Sequence, residues 1–447
     1  MIRLIVSDLV AHARIWLGVA AVTIATGFVG AIAAGLLETG AFHGGAVNEG
    51  LSSTSSAVIM FTAVTALIVL SSTATLTISL QVRGYALWQL VGVRPGLVSL
   101  VVLAQLGIIG VLGGLIGSLL AIPLFPPLFT WVFREWSEMQ GISLHLGIGS
   151  ALAVTAAITL TVLFGGLRSA RRAGRTPPIE ALRDPEPSQA RVGWFRVLLG
   201  VAALSGVIAL VLNLDGSASM SAFSGQAVLL TPLIAAVLAA TGPFVFPLVL
   251  RGWTALVPAR ASATWFLARN SARYRLSRSS AAISPLMVAI ALTGGLYTTG
   301  ATTAAAQTIR TGMDAGFDLA PEGGVILLGG PLLLSGVASA ATVFMSGHAR
   351  EREFALIQAV GSTPRTIVLT SIWEAMTYTV TAVVLGSAAT IIGGVVIADA
   401  LALPGPSVAF PALGIIAGGG LVLLLAATVM PTAAALRTEI PRTLVVE

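Results

Sequence analysis

Ten apolar runs, each about as long as a bilayer is thick, leave this chain almost no alternative to a helical membrane fold. Crossing the hydrocarbon core takes roughly 20 apolar residues. The runs fall at about 15–37, 56–80, 97–123, 147–167, 196–213, 227–250, 280–300, 324–346, 366–398 and 409–430. Lipid offers no hydrogen bonds, so a run of this kind must satisfy its own backbone as a helix. The expected fold is therefore an all-α integral membrane protein with ten transmembrane helices. Of the 447 residues, 56% are hydrophobic and only 9% charged, against about 25% charged in a soluble domain. The first run follows a mildly basic stretch, Met1 to Arg14. It is longer than the roughly 7–15 residues of a signal-peptide core, so it is expected to stay as the first span.

The few charges are arranged by side. All 24 basic residues are arginine, and lysine is absent. With the N-terminus placed in the cytoplasm, every arginine except Arg134 and Arg310 falls on the inner side, as the positive-inside rule requires. A multi-pass protein of the bacterial plasma membrane with both termini cytoplasmic is expected. This sorting also accounts for a pI near 10.8 without nucleic acid as a partner. Cysteine is absent too, which removes disulfides, thiolate metal sites and cysteine nucleophiles. A Walker phosphate loop needs its lysine, so ATP and Mg, if used, belong to another polypeptide and no cofactor is expected in this chain. His12, His43, His145 and His348 are widely separated, no metal spacing or Ser/His/Asp set is legible, and no intrinsic catalysis is expected.

One polar segment is written twice. Arg83-Gly-Tyr-Ala-Leu-Trp-Gln-Leu-Val-Gly92 returns 269 positions later as Arg352-Glu-Phe-Ala-Leu-Ile-Gln-Ala-Val-Gly361. Each copy joins the second span of a four-span set to a Gly-rich third span, and each set ends in a basic tail. Copies of like orientation form a parallel repeat about an axis normal to the membrane. The division expected is a first half at 1–185 (spans one to four), a linker with central spans five and six at 186–260, and a second half at 261–447 (spans seven to ten).

These segments resemble the FtsX/MacB-type permeases of ABC transporters, often called type VII. The family pattern is an Arg-Glu-x-x-x-Leu-x-x-x-Gly segment, a Glu or Gln early in the third span, a Gly-rich stretch and a terminal Pro-x-Glu-Ala-Leu-Arg. Arg352, Glu353, Leu356, Gly361, Pro364, Glu374 and Gly386 fit it, as do Arg83, Leu87, Gly92, Pro95, Gln105, Gly117 and Pro178-Ile-Glu-Ala-Leu-Arg183. Gly84 stands where the family has its acid. Ten spans with two central ones is similar to the BceB-type arrangement, without its large extracellular domain: only about 23 residues separate spans seven and eight.

The resemblance implies a permease subunit served by a separate ABC ATPase, two copies per chain. Coupling would run through Arg83, Tyr85, Leu87, Trp88, Gln89 and Gly92, and through Arg352, Glu353, Phe354, Leu356, Gln358 and Gly361. Each segment is read as a short helix whose apolar face enters a groove on the ATPase; the plainer alternative is an amphipathic connector on the inner leaflet. The cargo implied is hydrophobic or amphiphilic (peptide, lipid, lipoprotein or antibiotic), exported or extracted from the outer leaflet by mechanotransmission. A non-transporting transmitter to a cell-wall hydrolase or sensor kinase, and an ion-coupled secondary transporter, stay open.

Within the membrane, Gln105 and its equivalent Glu374 are read as hydrogen-bonding or ion-pairing residues, with Arg365 a candidate partner. Gly110, Gly113, Gly114 and Gly117 form two small-xxx-small pairs for close helix packing, with Gly386 their counterpart. The outer segment Phe125 to Trp136 reads as an aromatic belt or as the lip of a substrate entry, and its one ion pair is expected between Arg134 and its neighbour Glu135.

Overall fold

The computed structural model describes residues 7–9, 11–175, 194–214, 216, 220–258, 262–274, 276–312, 321–359 and 361–435. Among them there is no β-strand. In chain order the helices are α1 (Ala13–His43), α2 (Gly45–Leu90), α3 (Pro95–Val132), α4 (Ile148–Arg175), α5 (Trp194–Asn213), α6 (Met220–Ala227), α7 (Leu230–Ala240), α8 (Gly242–Ala255), α9 (Ala263–Tyr274), α10 (Leu276–Thr311), α11 (Pro321–Ala359), α12 (Pro364–Ala400) and α13 (Phe410–Ala435). The protein is an all-α integral membrane protein, and nine helices among the described residues are long and apolar enough to cross a bilayer. The expected fifth span is apolar but shorter, at Val197–Asn213. The expected sixth begins earlier, at Phe223, and reaches Ala240. It turns there because α7 stops at Thr241 and α8 restarts with a proline in its first turn; proline supplies no N–H to continue the ladder.

The helices run on past the apolar stretches. α2 has 46 residues, about 69 Å at 1.5 Å per residue, more than twice the hydrocarbon thickness of ~30 Å. Nothing between Leu80 and Leu90 breaks it except Gly84, which an exposed helix tolerates at a cost of about 1 kcal/mol. The first repeated segment is therefore the projecting end of the second span and not a separate short helix. α11 likewise carries the eighth span and the second segment on one 39-residue helix.

Two compact units form by packing. One comprises residues 1–186 with 320–345, the other 187–319 with 346–447. In the first, α1 lies against α2, α3 and α4, with the N-terminal part of α11 beside it. Gly330 meets Val29 and Thr62, and the Thr77 hydroxyl lies 3.3 Å from Met345 Sδ. Packing thus groups the eighth span with the first four, a different partition from the repeat halves. In the second unit α10 is the central helix, its most apolar stretch 94% buried.

The small-residue pairs of α3 have separate uses. Gly110 and Gly114 face α4, where an added methyl would stand 3.0 Å from the Thr159 Cα and 2.9 Å from the Thr155 Cα. Gly113 and Gly117 face α1, at Thr23 and at the Ile24–Phe28 backbone. Two faces of one helix, each a pair of glycines four residues apart, thus let two neighbours approach at backbone distance. Gly386 does the same on α12, where a methyl would meet Ile290 Cγ2 at 2.7 Å.

The aromatic segment from Phe125 to Trp136 differs from expectation. α3 continues through Pro123, Pro126 and Pro127 to Val132. Phe125, Phe129 and Phe133 are buried, with ring centroids 5.9 and 4.7 Å apart, in a core shared with Leu36, Leu51 and Met139. Spacing of four puts them on one helix face, and that face points inward; Trp131 and Trp136 point out. Arg134 makes its close ion pair with Glu322 at 2.5 Å, while Glu135 stands at 3.9 Å.

Candidate functional site

The end of α2 is built by its own sequence. Its final turn closes with Val93 N–H donating to Trp88 C=O at 3.0 Å and Gly92 N–H to Gln89 C=O at 3.0 Å. That is the double-bonded Schellman ending, which needs a left-handed residue. Gly92 supplies it at φ 98°, and a side chain there would meet no other atom within 4 Å, so backbone conformation alone selects glycine. Three residues on, Pro95 opens α3, where its missing N–H costs nothing.

The second copy repeats this. Gly361 sits at φ 96°, its N–H donating to Gln358 C=O at 2.8 Å, and Pro364 opens α12. The separation between Gly92 and Gly361 equals that between Pro95 and Pro364. Thr363 adds a cap to the second copy, its hydroxyl accepting from Thr366 N–H at 3.3 Å; Arg94, at the same place in the first, has no capping side chain bond.

Around the first turn the side chains divide by face. Tyr85 is buried, donates to Gln81 Oε1 and stacks edge-on against Trp88 with centroids 5.5 Å apart. It anchors the helix end from within and presents no surface. Gln89 donates to the carbonyls of Ala173 and Gly174 at 3.3 and 3.2 Å, tying α2 to the last turn of α4. Arg83, Leu87, Leu90 and Val91 are left outside, the last three forming one apolar tip at spacings of three and four. Leu90 and Val91 are exposed residues that the repeat comparison did not single out; their place one turn beyond Leu87 was the available signal. In the second copy Gln358 is half-buried. The side chains of Arg352, Glu353, Phe354 and Leu356 lie outside the described residues.

The intramembrane polar residues are both buried and both bonded. Gln105 Nε2 donates to Asp8 Oδ2 at 2.8 Å, and Asp8 pairs with His12 at 3.0 Å. Asp8 and His12 were missed by sequence reasoning, since nothing in a polar N-terminal stretch marks a partner 97 positions away. Glu374 accepts from the Tyr378 hydroxyl at 2.5 Å, one turn along the same helix. The histidines are not all scattered in space: His43 and His145 come together, each Nε2 3.3 Å from the Ser143 hydroxyl, with Phe42 stacked on His145. Among the described residues no group of three or more metal-binding side chains occurs.

Residues 325–440 match the family model of the FtsX-like permease C-terminal domain. The chain carries an FtsX-like permease domain. That domain and the many apolar helices support a transmembrane permease of the ABC-transporter type. The matched stretch contains the second repeated segment, its Gly361 turn, Glu374 and Gly386. No curated protein gives a significant sequence match to the chain.

Proposed function

We propose that this permease is the membrane subunit of an ABC transporter whose ATPase is a separate polypeptide, bound in two copies at the two repeated segments. The observation that carries the reading is the recurrence, at one constant separation, of a helix end, a left-handed glycine and a proline-started helix. A rigid corner of that kind suits a helix end pushed from outside, because a flexible linker would absorb the push. At the first corner the exposed apolar tip of Leu87, Leu90 and Val91 offers the face that a groove on the ATPase would cover.

Closing of an ATP-bound ATPase dimer would draw the two corners together and tilt the helices that run from them. Motion follows only if the ATPase prefers one arrangement of the membrane helices over the other. ATP and Mg act on the ATPase. The cargo is a hydrophobic or amphiphilic molecule exported or drawn from the outer leaflet by mechanotransmission, and the segments at 83–92 and 352–361 are the coupling elements.

The test is reconstitution. The permease and the Walker-motif ATPase that co-purifies with it are placed in liposomes, and nucleotide hydrolysis and release of fluorescent lipid or peptide are followed. Hydrolysis-dependent release that needs both subunits is expected. Release driven by an ion gradient without nucleotide would overturn the reading.

A further inference from the structure

We propose that Arg251, Arg269 and Arg273 hold the phosphate of an anionic phospholipid headgroup on the arginine-rich side of the membrane. The three belong to α8 and α9, in the second unit. α9 has 12 residues, about 18 Å, too short to cross the bilayer. Its buried face is Thr264, Trp265, Ala268 and Ala272, while Phe266 and Tyr274 are exposed. Trp253, Trp265 and Trp373 form a ladder with centroids 6.0 and 5.5 Å apart, and Trp253 Nε1 donates to Thr381 at 3.0 Å. The ladder ties α9 to α8 and α12.

Arg269 and Arg273, four apart, share one face of α9. Arg273 donates to Thr254 Oγ1 at 2.7 Å and to the Arg251 carbonyl at 3.1 Å, and Arg269 reaches the Val257 carbonyl at 3.4 Å. None of the three has a carboxylate partner among the described residues, and the chain has no Asp or Glu at all between Asp215 and Asp314. The Nε groups of Arg269 and Arg273 are buried and unbonded among the described residues. Burial, and then the charges of Arg269 and Arg251, hold Arg273 below the ordinary arginine pKa. Three crowded cations with spare donors call for an anion with several oxygens. Exposed Leu256 and Phe266 alongside suit the acyl chains of a lipid, which a soluble anion lacks. Basic pockets between membrane helices are where such headgroups bind.

The experiment is native mass spectrometry of the full chain in detergent, titrated with phosphatidylglycerol, phosphatidylcholine and inorganic phosphate. It reads no ATPase binding, so it stands or falls apart from the proposed function. Phosphatidylglycerol is expected to bind at least fivefold more tightly than phosphatidylcholine, and millimolar inorganic phosphate to leave it in place. At roughly fivefold per arginine, Arg251→Gln with Arg269→Gln removes the preference. Arg273 is left intact because it also braces Thr254. Equal retention of the two lipids by the unaltered chain overturns the proposal without any variant. So does a preference that survives the double substitution, or displacement by inorganic phosphate, which would assign the arginines to a soluble ligand.

Discussion

The apolar tip of α2 gives the sharpest test of coupling. Leu87 is 50% exposed, Leu90 56% and Val91 88%. Full burial of such a side chain contributes about 1.5–3 kcal/mol. Covering the exposed half of each leucine and most of the valine therefore contributes about 3 kcal/mol to docking. Alanine retains part of this, so Leu87→Ala/Leu90→Ala/Val91→Ala loses about 2 kcal/mol, or roughly 30-fold in Kd. The fold should change by no more than ~0.5 kcal/mol, since the three side chains project from the surface. Only one of the two segments is altered. Mass photometry of the permease with its ATPase should then show the two-ATPase species replaced by a one-ATPase species at concentrations between the two Kd values. Thermal unfolding of the permease alone should be unchanged. A folded variant that still binds two ATPases with unaltered affinity refutes the reasoning, and the tip becomes a connector anchored in lipid.

Two further substitutions probe the packing that holds the corners. Gly117→Leu drives a side chain into the Ile24–Phe28 backbone and should cost about 1–3 kcal/mol, while Gly84→Ala, which meets nothing within 4 Å, should stabilise by up to ~1 kcal/mol; melting in detergent measures both, and equal effects would mean that α1 and α3 are not in backbone contact. Arg134→Gln leaves Glu322, at 11% side-chain exposure, without its cation and should cost about 1–3 kcal/mol. Glu322→Gln should cost less, because Arg134, 55% exposed, is solvated without it, and chemical denaturation that ranks them the other way would contradict the pairing.

The membrane spans could be read from sequence because the bilayer imposes a length and forbids unsatisfied backbone. The glycine faces of α3 were equally readable, since periodicity alone put Gly110 with Gly114 and Gly113 with Gly117; which helix each would meet was not. Continuity was illegible for a physical reason. A hydropathy pattern stops where polar residues start, but a helix does not, and Gln81 to Leu90 is as good a helix as the apolar turns before it. The phenylalanines misled through position: their spacing of four announced a buried face, yet their place at the outer interface argued for a belt. The break at Thr241 was marked by Gly242-Pro243 inside an otherwise apolar run. Pairs made across the fold, Gln105 with Asp8 and Arg134 with Glu322, have no local trace at all.

An uninterrupted α2 means that the two membrane surfaces of the first unit are mechanically one. No proline softens it between Gly45 and Leu90, so a few degrees of lean imposed at its Leu90 end would reappear as a sideways shift of several ångströms at its far end. Whatever touches that far end would register such a shift at once, with no hinge to delay it and no spring to store it.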